Sequence, residues 1–301
     1  MKRERFVPVF LSVFVTAVSF FCTSVFSQTL VQRSGDSGSV DWSKAVIKAT
    51  GIGAPNMKLP EAARRPSAIE AAKQLALRNL LQTIKGVRLS SETTVENFMV
   101  SSDVVRTRVE GIARGFRVVD TRYMDDGSVE VDVEMSLRGE LADVLLPETG
   151  GGEPISGLVC PCCGQPWPAG RPVPEGVKPV VRGVGDKGRV YTGLVVDTRG
   201  LGVQPAMAPR VMTEGGREVY GAGFVTRDYA IQQGVVGYGK DVAKAAGDER
   251  VTDKPFVVKA VRASGPGKCD VIISEQDALA LHGKAENLEF LKQCRVFFVV
   301  D

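Results

Sequence analysis

The side chains best suited to chemistry lie in the run Cys160-Pro161-Cys162-Cys163-Gly164. A C-P-x-C-G turn can aim two thiolates at one metal, so Cys160, Cys162 and Cys163 form a candidate zinc set. A structural zinc takes four ligands. No second C-x-x-C occurs and His282 is the only histidine, so Cys269, Cys294 or carboxylates would have to complete the shell. The same spacing also suits a local disulfide, Cys160 to Cys163, stapling a proline-rich turn. Thiol redox work is the third reading. It normally draws a low thiol pKa from a helix N-terminus, whereas Cys163 is followed by Gly164, Pro166 and Pro168.

Other templates for catalysis are poorly supplied. One histidine gives little scope for a Ser-His-Asp triad, and its neighbours Leu281 and Gly283 predict the end of a surface helix and a structural role. No G-x-x-x-x-G-K-[ST] phosphate loop occurs, and Gly237-Tyr238-Gly239-Lys240 reads as a glycine-bounded turn. Glu130, Asp132 and Glu134 alternate along one strand face, about 7 Å apart, where a solvated or Arg-paired face is expected before a cation site. The expectation is therefore a protein without catalytic residues or an organic cofactor, zinc being the one cofactor the cysteines allow.

The elements that must position these groups are legible from periodicity. Ser67 and Glu70 stand in the S-x-x-E relation of a capping box, which predicts a helix from Ala68. Ile69, Ala72, Ala76, Leu80 and Ile84 lay one apolar stripe along it, widened by Leu77 and Leu81, and Gly86 supplies a stop. Val87, Leu89, Ser91, Thr93 and Val95 alternate with polar neighbours, predicting a strand over 87–95. Ser101 or Ser102 can cap a second helix through Arg114. Strict alternation from Val129 to Leu137 predicts a half-buried strand. Its hairpin partner over 116–124 places Arg122 opposite Glu130, Asp120 opposite Asp132 and Val119 opposite Val133. With an opening strand at 44–52, the order is β-α-β-α-β-β: a mixed, mostly antiparallel sheet with helices on one face.

At 301 residues, 44% hydrophobic and 24% charged, the chain can bury two cores. Residues 1–27 have the plan of a signal peptide, with Lys2, Arg3 and Arg5 before an apolar run and small residues at Ser24 and Ser27; retention as an anchor and lipidation at Cys22 are the alternatives. Removal at Ser27 leaves 35 Lys plus Arg against 34 Asp plus Glu, and no basic stretch gives a nucleic-acid footprint. Residues 28–40 read as a flexible leader, 41–147 as the first domain, 148–189 as a Pro/Gly/Cys-rich linker and 190–301 as a C-terminal α/β domain. That domain is expected to end in a β-α-β unit. Cys269 opens one of its strands and Cys294 precedes the other. If the strands are neighbours in a parallel crossover, about 4.8 Å apart, the two cysteines can form a disulfide.

Ala49-Thr50-Gly51-Ile52-Gly53-Ala54, then Ala68-Ile69-Glu70-Ala71-Ala72-Lys73, then Lys85-Gly86-Val87 and Thr93-Thr94-Val95 resemble the LPP-twenty lipoprotein family. That family is similar in turn to the first domain of flagellar assembly protein T. The likeness covers residues 44–146. It implies a periplasmic or outer-membrane-associated envelope protein, and a departure qualifies it: Ser19, Phe20 and Phe21 before Cys22 are too bulky for the usual lipid-attachment box. Together these observations predict a non-enzymatic exported interaction or assembly protein, with flagellar or outer-membrane structures as the candidate setting. Its partners would be envelope proteins or a second copy, with membrane association only if the N-terminal segment is retained or lipidated. The alternative is a metal-binding or thiol-redox protein centred on Cys160 and Cys163.

Overall fold

The computed structural model of the protein describes residues 29–155, 157–160, 162–163, 167, 171–174, 176–177, 180–182 and 189–301. Residues 1–27, expected to be a signal peptide, lie outside them together with Cys22. No helix among the described residues is long and apolar enough to cross a membrane. The architecture is mixed α+β throughout.

The first half contains β1 (Val31–Ser34), β2 (Gly38–Asp41), β3 (Val46–Gly53), α1 (Glu61–Lys85), α2 (Val95–Ser101), α3 (Asp103–Ala113), β4 (Arg117–Tyr123), β5 (Val129–Ser136) and α4 (Glu140–Leu145). Its five strands form one antiparallel sheet in the order β1-β2-β3-β5-β4. Val129, Val131 and Val133 of β5 point inward and are buried, as their alternation with acidic residues demands. Ala68, Ala72, Ala76, Leu80 and Ile84 of α1 are fully buried against that face. Small residues set how closely helix and sheet approach. A Cβ on Gly51 would stand inside the van der Waals envelope of the Ala72 and Ala76 backbone, and one on Gly53 inside that of Ala68.

Four local expectations are corrected. The helix begins at Glu61, not Ala68, with Pro60 as its cap residue, because Glu61, Ala62, Ala63, Arg64 and Arg65 carry helical propensity through Pro66. Ser67 is thus interior, and its hydroxyl donates to the Arg64 carbonyl at 2.8 Å. Residues 87–94 form a turn with a single bridge, Arg88 to Thr94, and Thr94 then caps α2. Val87, Leu89 and Ser91 are nevertheless buried, because the other half of the chain covers them. The flexible leader is, from Val31 onward, the β1–β2 hairpin that extends the sheet. Ser102 caps α3 as expected. In the β4–β5 hairpin Arg122 faces Glu130 and Asp120 faces Asp132, while a bulge puts Val118 rather than Val119 opposite Val133.

In the connection, β6 (Gly157–Val159) pairs antiparallel with β7 (Val180–Arg182). The second half contains β8 (Gly193–Asp197), β9 (Val211–Thr213), β10 (Glu218–Tyr220), a 3-10 turn (Ala222–Phe224), α5 (Arg227–Gln233), β11 (Gly237–Gly239), α6 (Val242–Ala246), β12 (Pro255–Lys259), β13 (Arg262–Ser264), β14 (Asp270–Ile273), α7 (Glu275–His282), α8 (Ala285–Lys292) and β15 (Val296–Val299). It holds two sheets: a parallel one, β11-β15-β8-β12, and a mixed one, β10-β9-β14-β13. The expected closing β-α-β crossover within one sheet is overturned. β14 and β15 are each interior strands with two partners of their own, and the α7–α8 pair carries the chain from one sheet to the other.

The halves share one continuous core. Met207 N–H donates to the Arg88 carbonyl at 2.9 Å, Ala208 N–H to Leu89 at 2.8 Å, Gly267 N–H to Ser91 at 2.8 Å and Gly139 N–H to Ile231 at 2.9 Å. Arg227 pairs with Asp143 at 2.9 Å and Arg210 with Glu92 at 3.2 Å, and the Trp42 and Tyr238 rings meet edge-on at 5.6 Å.

Candidate functional site

The antiparallel sheet presents one face to α1 and the other to solvent, and the acidic row lies on the open face. Arg122 bridges it, reaching Asp120 at 2.7 Å, Asp132 at 2.8 Å and Glu130; Arg117 pairs with Glu134. Hydrogen bonds to Asp132 and Glu130 raise the Arg122 pKa further above its ordinary value. Partial burial works to raise Asp132, but hydrogen bonds from Arg122 and Thr50 outweigh it and hold the carboxyl low. The row is Arg-paired, as its spacing suggested.

At the margin of this sheet β4 pairs, among the described residues, only with β5, which leaves its other edge open. It also carries uncovered apolar side chains: Val118 is 39% exposed, Val119 50% and Tyr123 55%. The bulge beside Val118 turns Val119 out of the ladder, and Arg65 of α1 lies over the Tyr123 ring at 5.0 Å. An open backbone edge flanked by apolar side chains can accept a further strand.

All five described cysteines are free. Cys162 and Cys163 are exposed and Cys160 is partly so. Main-chain N–H groups of Cys163 and Cys162 converge on the Cys160 sulfur and lower its thiol pKa. Among the described residues no group of three or more His, Cys, Asp or Glu is arranged to hold a metal. Cys269 and Cys294 do not join this turn. Both are fully buried, and burial pushes each thiol up to about 11. The premise of a bridge between them also fails, because it required β14 and β15 to be neighbours and they belong to different sheets.

His282 is buried, not at a helix surface. Its Nδ1 accepts from the Ile155 N–H at 2.9 Å, which leaves the proton on Nε2 to donate to the Val219 carbonyl at 2.8 Å. The Phe224 ring meets it edge-on at 5.2 Å. Loss of hydration lowers its pKa to about 4. The imidazole thus ties the connection to the second half, a structural role that sequence anticipated on the wrong grounds.

The fold and these sites define a two-part α+β scaffold with an open sheet edge. Residues 44–136 match the family model for LPP20 lipoprotein, which bears out the resemblance of the opening domain to that family. Residues 193–301 match the model for Treponema pallidum Tp0624, second domain. Neither match reaches flagellar assembly protein T. A search of curated proteins gives no match.

Proposed function

We propose that this is an exported cell-envelope protein that works by docking, with β4 as the strand that receives a partner. The observation that carries the reading is the open edge of β4 with Val118, Val119 and Tyr123 uncovered beside it. Strand addition supplies main-chain hydrogen bonds without special side chains, while flanking apolar residues give selectivity. The match of residues 44–136 to a lipoprotein family supports the envelope as the setting, with a periplasmic or outer-membrane-associated protein as the expectation. Partners of this kind include other envelope proteins, flagellar or outer-membrane structures among them, and a second copy of the chain.

Cell fractionation followed by photo-crosslinking from position 119 tests this. The expected result is an extracytoplasmic protein with one discrete crosslinked product that disappears in Val118→Lys/Tyr123→Lys. A cytoplasmic protein, or the same products from position 78 on the far side of α1, refutes it.

The convergence of two N–H groups on Cys160 favours a second reading, a thiolate turn that takes a soft metal with help from a partner's ligands. Stoichiometric zinc in the purified mature protein would support it, and five freely titratable thiols without metal would remove it.

A further inference from the structure

A cleft of about 130 Å³ opens where the two halves meet. A space of that size admits only a small occupant. Its lining combines the aromatic and apolar side chains of Trp42, Met207, Tyr238 and Phe297 with the cationic Arg138 and Arg250. Neither half has this site alone.

The two guanidiniums are unusually placed. Arg138 Nε is buried and has no acceptor, and among the described residues its guanidinium makes no hydrogen bond or ion pair. Arg250 donates to the carbonyls of Gly234 at 3.0 Å, Cys294 at 2.9 Å and Gln233, all neutral groups. Burial lowers the Arg250 pKa, and the Arg138 charge acts in the same direction. One carboxylate, Asp248, also lines the cleft, where it accepts from the Arg250 main-chain N–H at 2.9 Å. Two cations thus face one anion, so the cleft carries an excess positive charge.

Gly237 lets the Phe297 ring and the Arg250 guanidinium pack closely against the main chain at this wall. A Cβ there would come within 2.8 Å of the Phe297 ring and 2.9 Å of Arg250 Nε. Tyr238 cannot serve as the anion's donor, because its hydroxyl already donates to the Ala206 carbonyl at 2.8 Å and accepts from the Ala206 N–H at 3.0 Å. Among the described side chains that line the cleft, the charged donors left over are on the arginines, with the Ser43 hydroxyl, which accepts from the Leu30 N–H, as a neutral donor beside them.

We propose that this cleft binds a small organic carboxylate, its carboxylate on Arg138 with Arg250 as the second positive charge, and its ring or short apolar chain against Trp42 and Met207. Planar guanidinium donors match a carboxylate, and an aromatic wall beside them favours an acid with an apolar body over a bare inorganic anion. The site is independent of the β4 edge, so either can fail without the other.

The test uses the full mature chain and sodium benzoate as the probe. Two tryptophans are present, so Trp167→Phe leaves Trp42 as the fluorescence reporter. Benzoate should give a saturable change in that signal and raise the melting temperature, whereas neutral benzamide should do neither. Arg138→Gln should weaken benzoate binding by about tenfold or more, the loss expected for a charge-assisted hydrogen bond. The same variant should melt at a higher temperature than the parent without benzoate, because it removes an unpaired buried donor and relieves Arg250. A merely structural arginine would show the opposite. The proposal is overturned if benzoate gives no saturable change, if benzamide or inorganic phosphate binds as well as benzoate, or if Arg138→Gln binds normally or melts lower.

Discussion

Acidification should destabilise this protein through His282 well before its carboxylates titrate. The folded imidazole has a pKa lowered to about 4 from the ordinary 6.5, chiefly by burial. Above 6.5 the ring is neutral in both folded and unfolded chains, and its full contribution to stability is present. Between 6.5 and 4 the unfolded chain takes up the proton first, so stability falls as pH falls. The complete loss is roughly 3 kcal/mol and about 2 kcal/mol has gone by pH 5. His282→Gln offers a comparison that does not titrate, since an amide can accept from Ile155 N–H and donate to the Val219 carbonyl in the same place. Urea unfolding at pH 7.5 and pH 5 should show the parent losing about 2 kcal/mol more than the variant over that interval. The single histidine also allows a direct check, because its one imidazole resonance should titrate near 4 in the folded protein. Equal losses in parent and variant, or a resonance titrating near 6.5, would refute the reasoning.

Leu80→Ala, at a fully buried position under the sheet, should cost roughly 2–5 kcal/mol in chemical denaturation. Thr94→Ala, which removes the cap accepting from Asn97 N–H, should cost about 1 kcal/mol, and Ser67→Ala should stay within about 0.5 kcal/mol because its hydroxyl caps nothing. Asp270 is buried and accepts from Arg210 N–H, Nε and Nη2, so Asp270→Ala should cost about 3 kcal/mol by the same measurement. Alkylation followed by mass spectrometry should modify Cys160, Cys162 and Cys163 in the native protein and reach Cys269 and Cys294 only after unfolding, without reductant. A linked Cys269–Cys294 peptide pair would contradict the topology.

What the sequence made legible was whatever depends on near neighbours. The α1 stripe and the cap at Ser102 are local devices, and each sits where spacing put it. The start of α1 was misjudged because an S-x-x-E match says nothing of the residues before it, and Glu61–Arg65 were strong enough to carry the helix through Pro66. Alternation over 87–95 reported burial correctly and pairing wrongly, since the carbonyls of Arg88 and Leu89 find their donors at Met207 and Ala208. Periodicity cannot name a partner so distant. Cys269 and Cys294 failed for the same reason, as adjacency of strands is a property of the whole sheet order. The arginine cleft left no trace at all, because Arg138 and Arg250 converge only when both halves are folded.

The seam between the halves has a consequence for how this chain tolerates change. Besides its shared core and ion pairs, it is joined by peptide groups, at Arg88, Leu89, Ser91 and Ile231, and peptide groups are the same in every sequence. Side chains at those four points can drift without breaking these bonds, provided the backbone path is kept. Continuity of the chain between the halves is then a convenience of synthesis more than a mechanical tether. A protease cut in the proline-rich stretch should leave two fragments that stay together as one particle. Past Ile155, which His282 holds, that stretch can change in length and cysteine content without breaking the bonds of the seam.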